Sequence, residues 1–98
     1  MFIIDLKYIA PLEELDRHMA EHVKFLQIYY KKDIFVTSGR KVPRTGGIIL
    51  ARAGSKKEIE EIMIQDPFCK KKLAEFSVTE FLTSQVNPKF KELLRQKP

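Results

Sequence analysis

The spacing of apolar residues changes along the chain, and each change marks a predicted element of secondary structure. Residues 2–8 are rich in strand-forming side chains and alternate between apolar and polar towards Tyr8, which predicts a first strand that ends before Pro11. Over residues 12–31 apolar side chains recur every three or four positions, with acidic residues at the start and lysines at the end. This pattern predicts one amphipathic helix.

The next segment has the pattern of a hairpin followed by a second helix. Residues 34–39 and 48–53 are predicted strands, joined by a polar and turn-prone loop. Ser55, with Glu58 three positions later, forms a capping box that begins a helix. This helix should end near Gln65, because the residue before the next proline disfavours helical backbone angles.

The last part of the chain is predicted to hold a short turn, a fourth strand and a terminal helix. Asp66 can cap the turn, with Pro67 as its first helical residue. Residues 76–83 are the predicted fourth strand, although a bulge or a face buried against a partner is needed to explain its broken alternation. The terminal helix should begin at residue 87 and have an apolar side formed by Phe90, Leu93 and Leu94.

The order of elements predicts the fold class. Strand, helix, strand, strand, helix, strand is the pattern of an α+β, ferredoxin-like βαββαβ sandwich with a four-stranded antiparallel sheet. The 98 residues are expected to form one domain, 1–98, with a core over about residues 1–85 and a helical tail over 87–98. Two helices cover one sheet face and leave the other partly apolar, so we expect a homodimer packed through that face.

Composition and charge narrow the class of protein. A hydrophobic fraction of 44% is typical of a globular domain, and the net charge of +5 comes mainly from dispersed lysines. The third strand lacks the stacking aromatics of an RNA-binding ferredoxin-like domain, so no nucleic-acid partner is expected. No segment approaches the roughly 20 apolar residues of a membrane span. Together with a single cysteine, this predicts a cytoplasmic protein without a membrane partner.

Two histidines on the first predicted helix are candidates for chemistry. His22 falls near the middle of the apolar stripe and should face the sheet, whereas His18 lies on its flank beside Phe25. His22 is either a neutral core imidazole or an acid/base group at the edge of a pocket. The four-residue spacing of the histidines suits a metal, but no third ligand accompanies them, so no metal site is predicted.

The other candidate groups also have two interpretations. Asp66 is either only an N-cap or the carboxylate that orients an imidazole. Cys69 is expected to be an inert thiol. The loop with Arg40, Lys41 and Arg44 either binds an anionic group of a ligand or is a solvated turn. Because no phosphate-binding loop is present, no nucleotide cofactor is predicted.

Several short motifs, in this order, resemble the YciI-like (YCII-related) family. The motifs are the run RHMAEHVKFL at 17–26, Thr37-Ser38-Gly39 and Gln65-Asp66-Pro67-Phe68. The resemblance spans about residues 1–85 and implies the fold of the dimeric α/β barrels, with a pocket between helix and sheet. One departure is that Arg40-Lys41 follows the glycine, where family members usually have a proline or a small residue. This implies a more basic pocket mouth, so the resemblance does not imply a substrate shared with other members.

The resemblance also implies a set of functional residues. It makes His22 and Asp66 a catalytic pair and places Ser38 and Gly39 along the pocket. The predicted substrate-binding residues are Ser38, Gly39, Arg40, His18 and Phe68.

The first functional hypothesis is a small, cofactor-independent lyase or isomerase acting by acid–base chemistry on an aromatic or enolisable molecule. The alternative is a non-catalytic dimeric module that binds a small molecule or another partner through the same pocket.

Overall fold

The predicted α+β, ferredoxin-like fold is confirmed. A computed structural model describes residues 1–92 and 94, so Leu93 of the predicted terminal helix lies outside the described residues. The elements in chain order are β1 (Phe2–Tyr8), α1 (Leu12–Arg17), α2 (Met19–Lys31), β2 (Phe35–Arg40), β3 (Gly46–Ala51), α3 (Lys56–Met63), α4 (Pro67–Lys70) and β4 (Ala74–Glu80). A 3-10 turn, Pro88–Phe90, stands where the terminal helix was predicted to begin.

The four strands form one antiparallel sheet in the order β2-β3-β1-β4. The central strand β1 has Phe2, Ile4 and Leu6 on its buried face, while Ile3 and Lys7 are exposed on the other. This alternation follows from the two-residue period of a strand. All four helices therefore cover the same face of the sheet, and the core lies between the two layers.

The prediction of a single helix over residues 12–31 is wrong in one respect, because the helix is interrupted at His18, between α1 and α2. His18 has φ −109° and ψ 10°, and its N–H donates to the Leu15 carbonyl at 3.1 Å. In α2 the buried residues are His22, Phe25 and Tyr29, so Phe25 lies in the core instead of on the flank.

Local capping signals set the remaining helix starts. Ser55 Oγ accepts the Glu58 N–H at 3.2 Å, as the predicted capping box requires. The Glu58 carboxylate accepts from the Gly54 N–H instead of from Ser55.

The fourth strand begins two residues earlier than predicted and ends at Glu80. Within the described residues, no helix is long and apolar enough to cross a membrane.

Candidate active site

A histidine and an aspartate that are 44 residues apart in sequence meet in the core. His22 Nδ1 lies 2.8 Å from Asp66 Oδ1, within hydrogen-bond distance. His22 projects from the sheet-facing side of α2, and Asp66 is the residue that caps α4. Asp66 is 0% exposed and His22 8% exposed. A buried carboxylate is costly unless it is well satisfied, so this pair must be held by its surroundings.

The carboxylate of Asp66 accepts hydrogen bonds from three groups. Oδ1 accepts the Phe68 N–H at 3.1 Å as well as the bond from His22. Cys69 Sγ donates a weaker bond to Oδ2 at 3.9 Å. Pro67 at the first helical position lacks an N–H and fits the start of α4. The N-cap and the pairing with histidine therefore act together through one carboxylate.

Phe68 fixes the plane of the imidazole. Its ring stacks on His22 with centroids 4.1 Å apart and an interplanar angle of 8°. The edge of Tyr8 packs against the same phenyl ring, with centroids 6.0 Å apart. An ionised carboxylate only accepts hydrogen bonds, so when Asp66 is ionised and His22 is neutral, the imidazole proton is on Nδ1 and Nε2 is the basic nitrogen.

A cavity of about 450 Å³ lies between α2 and the sheet, and His22 forms part of its wall. Asp66 and Phe68 are not part of that wall, so the imidazole edge turned away from Asp66 is the edge available to the cavity. The described hydrogen bonds include none to Nε2. The cavity lining consists of Leu6, Tyr8, Asp16, Met19, His22, Val23, Leu26, Ser38, Gly39, Arg40, Arg44, Gly47, Ile48 and Ile49.

The polar groups of the cavity lie mainly along β2 and the loop that follows it. The Ser38 hydroxyl forms a short hydrogen bond with the Tyr30 hydroxyl from α2. Arg44 Nη2 donates to Asp16 Oδ1 at 2.5 Å, which joins the loop to α1. This hydrogen bond lowers the pKa of Asp16 and raises the pKa of Arg44, and the charge of Arg40 also lowers the pKa of Asp16.

The predicted substrate-binding residues divide into two groups. Ser38, Gly39 and Arg40 line the cavity. His18 and Phe68 do not. His18 Nδ1 lies 3.6 Å from a Glu21 carboxylate oxygen at the break between α1 and α2, and Phe68 lies behind the imidazole.

The other candidate groups have separate surroundings. Burial and the nearby charge of Asp66 raise the pKa of Cys69 to about 12, so its thiol is neutral near pH 7. Lys41 turns away from the cavity and pairs with Asp5 at 2.7 Å. Within residues 1–92 and 94, no three His, Cys, Asp or Glu side chains are grouped so that they could hold a metal ion.

Sequence reasoning missed two polar residues of the cavity, Tyr8 and Asp16. Tyr8 continues the alternation of Phe2, Ile4 and Leu6, so its helix-facing direction could have been inferred. Asp16 had no such signal, because its position at the cavity depends on the contact with Arg44 in a distant loop.

The sheet and its single helical layer define a ferredoxin-like α+β domain, with a cavity beside a buried histidine–aspartate pair. The YCII-related domain model matches residues 1–82, and the chain belongs to that family. The family resemblance drawn from the sequence motifs is thereby confirmed.

One similar solved structure is 5-chloro-2-hydroxyhydroquinone dehydrochlorinase from Burkholderia phenoliruptrix AC1100 in complex with 2,5-dihydroxybenzoquinone. The TM-score is 0.69 and the sequence identity is 20%. The match covers 84% of this chain and 94% of the dehydrochlorinase chain. At this identity the likeness establishes the fold. A search of curated protein sequences finds no match.

Proposed function

We propose that the protein is a small acid–base enzyme, a lyase or isomerase that works without a cofactor on an aromatic or enolisable small molecule. The observation that carries this proposal is the buried His22–Asp66 pair, with one imidazole nitrogen on the carboxylate and the other available to a cavity. The similar dehydrochlorinase, named for a chlorinated hydroxyhydroquinone, supports a hydroxylated ring as the substrate.

In this proposal His22 is the catalytic residue and moves one proton. Nε2 takes a proton from a ring hydroxyl or an activated C–H, and the resulting imidazolium is stabilised by the Asp66 carboxylate. The electron pair left on the substrate then expels a leaving group or shifts a double bond. The proton returns to the product or to the leaving group, so the imidazole ends neutral. Ser38 is the proposed hydrogen-bond donor to the substrate oxygen that gains charge.

The cavity supports a substrate of one ring. Its volume of about 450 Å³ falls in the range of small-molecule sites. Apolar side chains from α2 and β3 provide surfaces for the ring, and Ser38, Gly39 and Arg40 are the proposed contacts for its polar substituents. Phe68 is a positioning residue in this proposal, because it reaches the reaction only through the stacked imidazole. His18 has no role in it.

The test is turnover of 5-chloro-2-hydroxyhydroquinone, followed as chloride release, by the parent and by His22→Asn. Loss of a general base should lower kcat by about 10²–10⁴-fold, while 2,5-dihydroxybenzoquinone should still bind. Glu60→Gln, which removes an exposed carboxylate outside the cavity, is the matched control and should retain the parent rate. Equal rates for His22→Asn and the parent would refute the catalytic role.

The alternative is a non-catalytic binding module that uses the same cavity, and the same experiment separates the two. Binding of the quinone without turnover of any hydroxylated ring would favour the module. A His22 imidazole that stays neutral and unresponsive in an NMR titration from about pH 5 to 8 would support the same conclusion.

The proposal includes a homodimer formed through the outer face of the sheet. Ile3 and Ile48 are 39% and 37% exposed on that face, and Leu50 lies beside Ile3 in the adjacent strand. A second copy packed there would remove these side chains from water.

A further inference from the structure

Arg44 joins two separate parts of the cavity wall. It lies in the β2–β3 loop, residues 41–45, and its guanidinium reaches Asp16 on α1. Backbone hydrogen bonds hold the loop: Tyr8 N–H donates to the Thr45 carbonyl at 2.9 Å, and Lys41 N–H donates to the Gly46 carbonyl at the same distance. The guanidinium therefore has a defined position at the cavity.

Part of the guanidinium has no protein partner. Among the described residues no group accepts a hydrogen bond from Arg44 Nε, although that atom is buried. The side chain of Arg44 is 24% exposed, whereas that of its partner Asp16 is 58% exposed. Asp16 can therefore turn into water at little cost, but the guanidinium cannot leave the cavity as easily. An anion that enters would find a donor already partly desolvated.

The charges of the lining favour an anion. Arg40 and Arg44 line the cavity, and Asp16 is the carboxylate that accompanies them there. Lys41, the third cation of the loop, is held by Asp5 and does not line the cavity. The mouth thus carries an excess of positive charge, whereas most of the wall is apolar. This combination suits a small ring with one ionised substituent.

We propose that the substrate carries a carboxylate or an ionised hydroxyl that binds Arg44, and that Asp16 is the internal competitor for that residue. The inference rests on the proposed function and adds the substrate class. Arg44 fixes one end of the molecule while the reacting end faces His22. Arg44 is then a specificity-determining residue. The anion must bind Arg44 more strongly than Asp16 does in order to displace the Asp16 carboxylate.

The test compares two probes of nearly equal shape, 2,5-dihydroxybenzoate and 2,5-dihydroxybenzamide, titrated by NMR at fixed ionic strength near neutral pH. The anion should bind more tightly than the amide to the parent. Arg44→Gln should lower the affinity for the anion about tenfold or more, because a charge-assisted hydrogen bond is lost. It should leave the affinity for the amide unchanged. Asp16→Asn should raise the affinity for the anion by up to about fivefold, since it removes the exposed ion pair that competes with the anion for Arg44.

Arg17→Gln is the matched control. It removes the same charge from α1, where Arg17 pairs with Glu14 outside the cavity, and it should leave both affinities unchanged. Equal affinity of the parent for the two probes, or equal weakening of both by Arg44→Gln, would overturn the inference. So would a loss of the anion preference in Arg17→Gln, because the effect would then be general electrostatics.

Repeating the titration in His22→Asn separates this inference from the proposed function. If Arg44 selects the anion, the preference should persist in His22→Asn. An anion preference in a parent protein that turns over no hydroxylated ring would support the anion site and count against the enzyme. If the parent is active but neither it nor any variant prefers the anion to the amide, the result would count against the anion site alone.

Discussion

At the scale of single residues, Asp66 illustrates how one carboxylate can cap a helix and hold an imidazole at the same time. Its Oδ1 atom accepts from both the Phe68 N–H and His22 Nδ1. The cap alone would explain an aspartate before proline on an exposed turn. It does not explain why the carboxylate is 0% exposed and has an imidazole against it. Hydrogen bonds from these donors offset the cost of burying the carboxylate. The bond with His22 also orients the imidazole.

Cys69 provides a prediction about reactivity that follows from the same carboxylate. Burial and the charge of Asp66 raise the pKa of Cys69 from 9.0 to about 12, and only the thiolate attacks alkylating reagents. Near pH 8.5 the native protein should react with iodoacetamide at least about a hundredfold more slowly than the urea-unfolded protein. Mass spectrometry of timed samples measures both rates, with N-acetylcysteine as the reagent control. Comparable native and unfolded rates would contradict the raised pKa.

The same shift of the Cys69 pKa fixes the sign of its effect on stability. The folded protein holds the thiol proton more tightly than the unfolded chain does. The contribution of the thiol is therefore fully present below about pH 9 and is lost as the pH rises towards about 12. The free energy of unfolding of Cys69→Ala should lack this decline, which urea titrations of both proteins would measure.

At the scale of elements, the pairing of β1 with β3 depends on Gly46. A Cβ at this position would lie 1.8 Å from the Leu6 carbonyl oxygen, a backbone atom that cannot move without disturbing the sheet. Gly46→Ala should lower the free energy of unfolding by about 2–3 kcal/mol, as overpacking does. Chemical denaturation measures the change.

Gly39→Ala is the control for Gly46→Ala, because nothing lies within 4 Å of the added Cβ. It should alter the free energy of unfolding by less than about 1 kcal/mol. If the two substitutions had equal effects, the close approach of Gly46 to β1 would not be what limits this position.

The elements that sequence could predict are those set by local signals. The alternation in β1, the Ser55 cap and the Asp66-Pro67 start each depend on neighbouring residues, and each is present in the structure. The break at His18 was missed because neither glycine nor proline marks it. On either side of it, Leu15 of α1 and Phe25 of α2 both lie in the hydrophobic core.

The candidate site was predictable to a smaller extent. Periodicity directed His22 at the sheet but could not connect it to Asp66, 44 residues away, and only the family resemblance joined the two. Likewise, the position of Asp16 at the cavity depends on where the β2–β3 loop folds back. Contacts between distant segments have no period in the sequence, so the composition of the cavity had to come from the structure.

At the scale of the whole molecule, the outer face of the sheet is a surface that the described helices leave uncovered. The face opposite the helices carries Ile3 and Ile48, both more than a third exposed, next to polar residues of β4 such as Ser77 and Thr79. In a chain of 98 residues, burying this face against a second copy would add substantially to a small core. On β1 the same face carries Lys7 and Asp5, which pairs with Lys41, so charged residues border the apolar group of Ile3, Ile48 and Leu50.

The proposed homodimer can be tested by placing one charge on this face. Ile3 lies on β1 between Leu50 and Thr79, so Ile3→Asp would bury an unpaired carboxylate in a sheet-to-sheet interface. The parent should sediment as a dimer and Ile3→Asp as a folded monomer in analytical ultracentrifugation. Ile28→Asp, at an equally apolar and 50% exposed position on α2, should remain a dimer. A monomeric parent would refute the dimer, and a dimer that survives Ile3→Asp but dissociates in Ile28→Asp would move the interface to the helices.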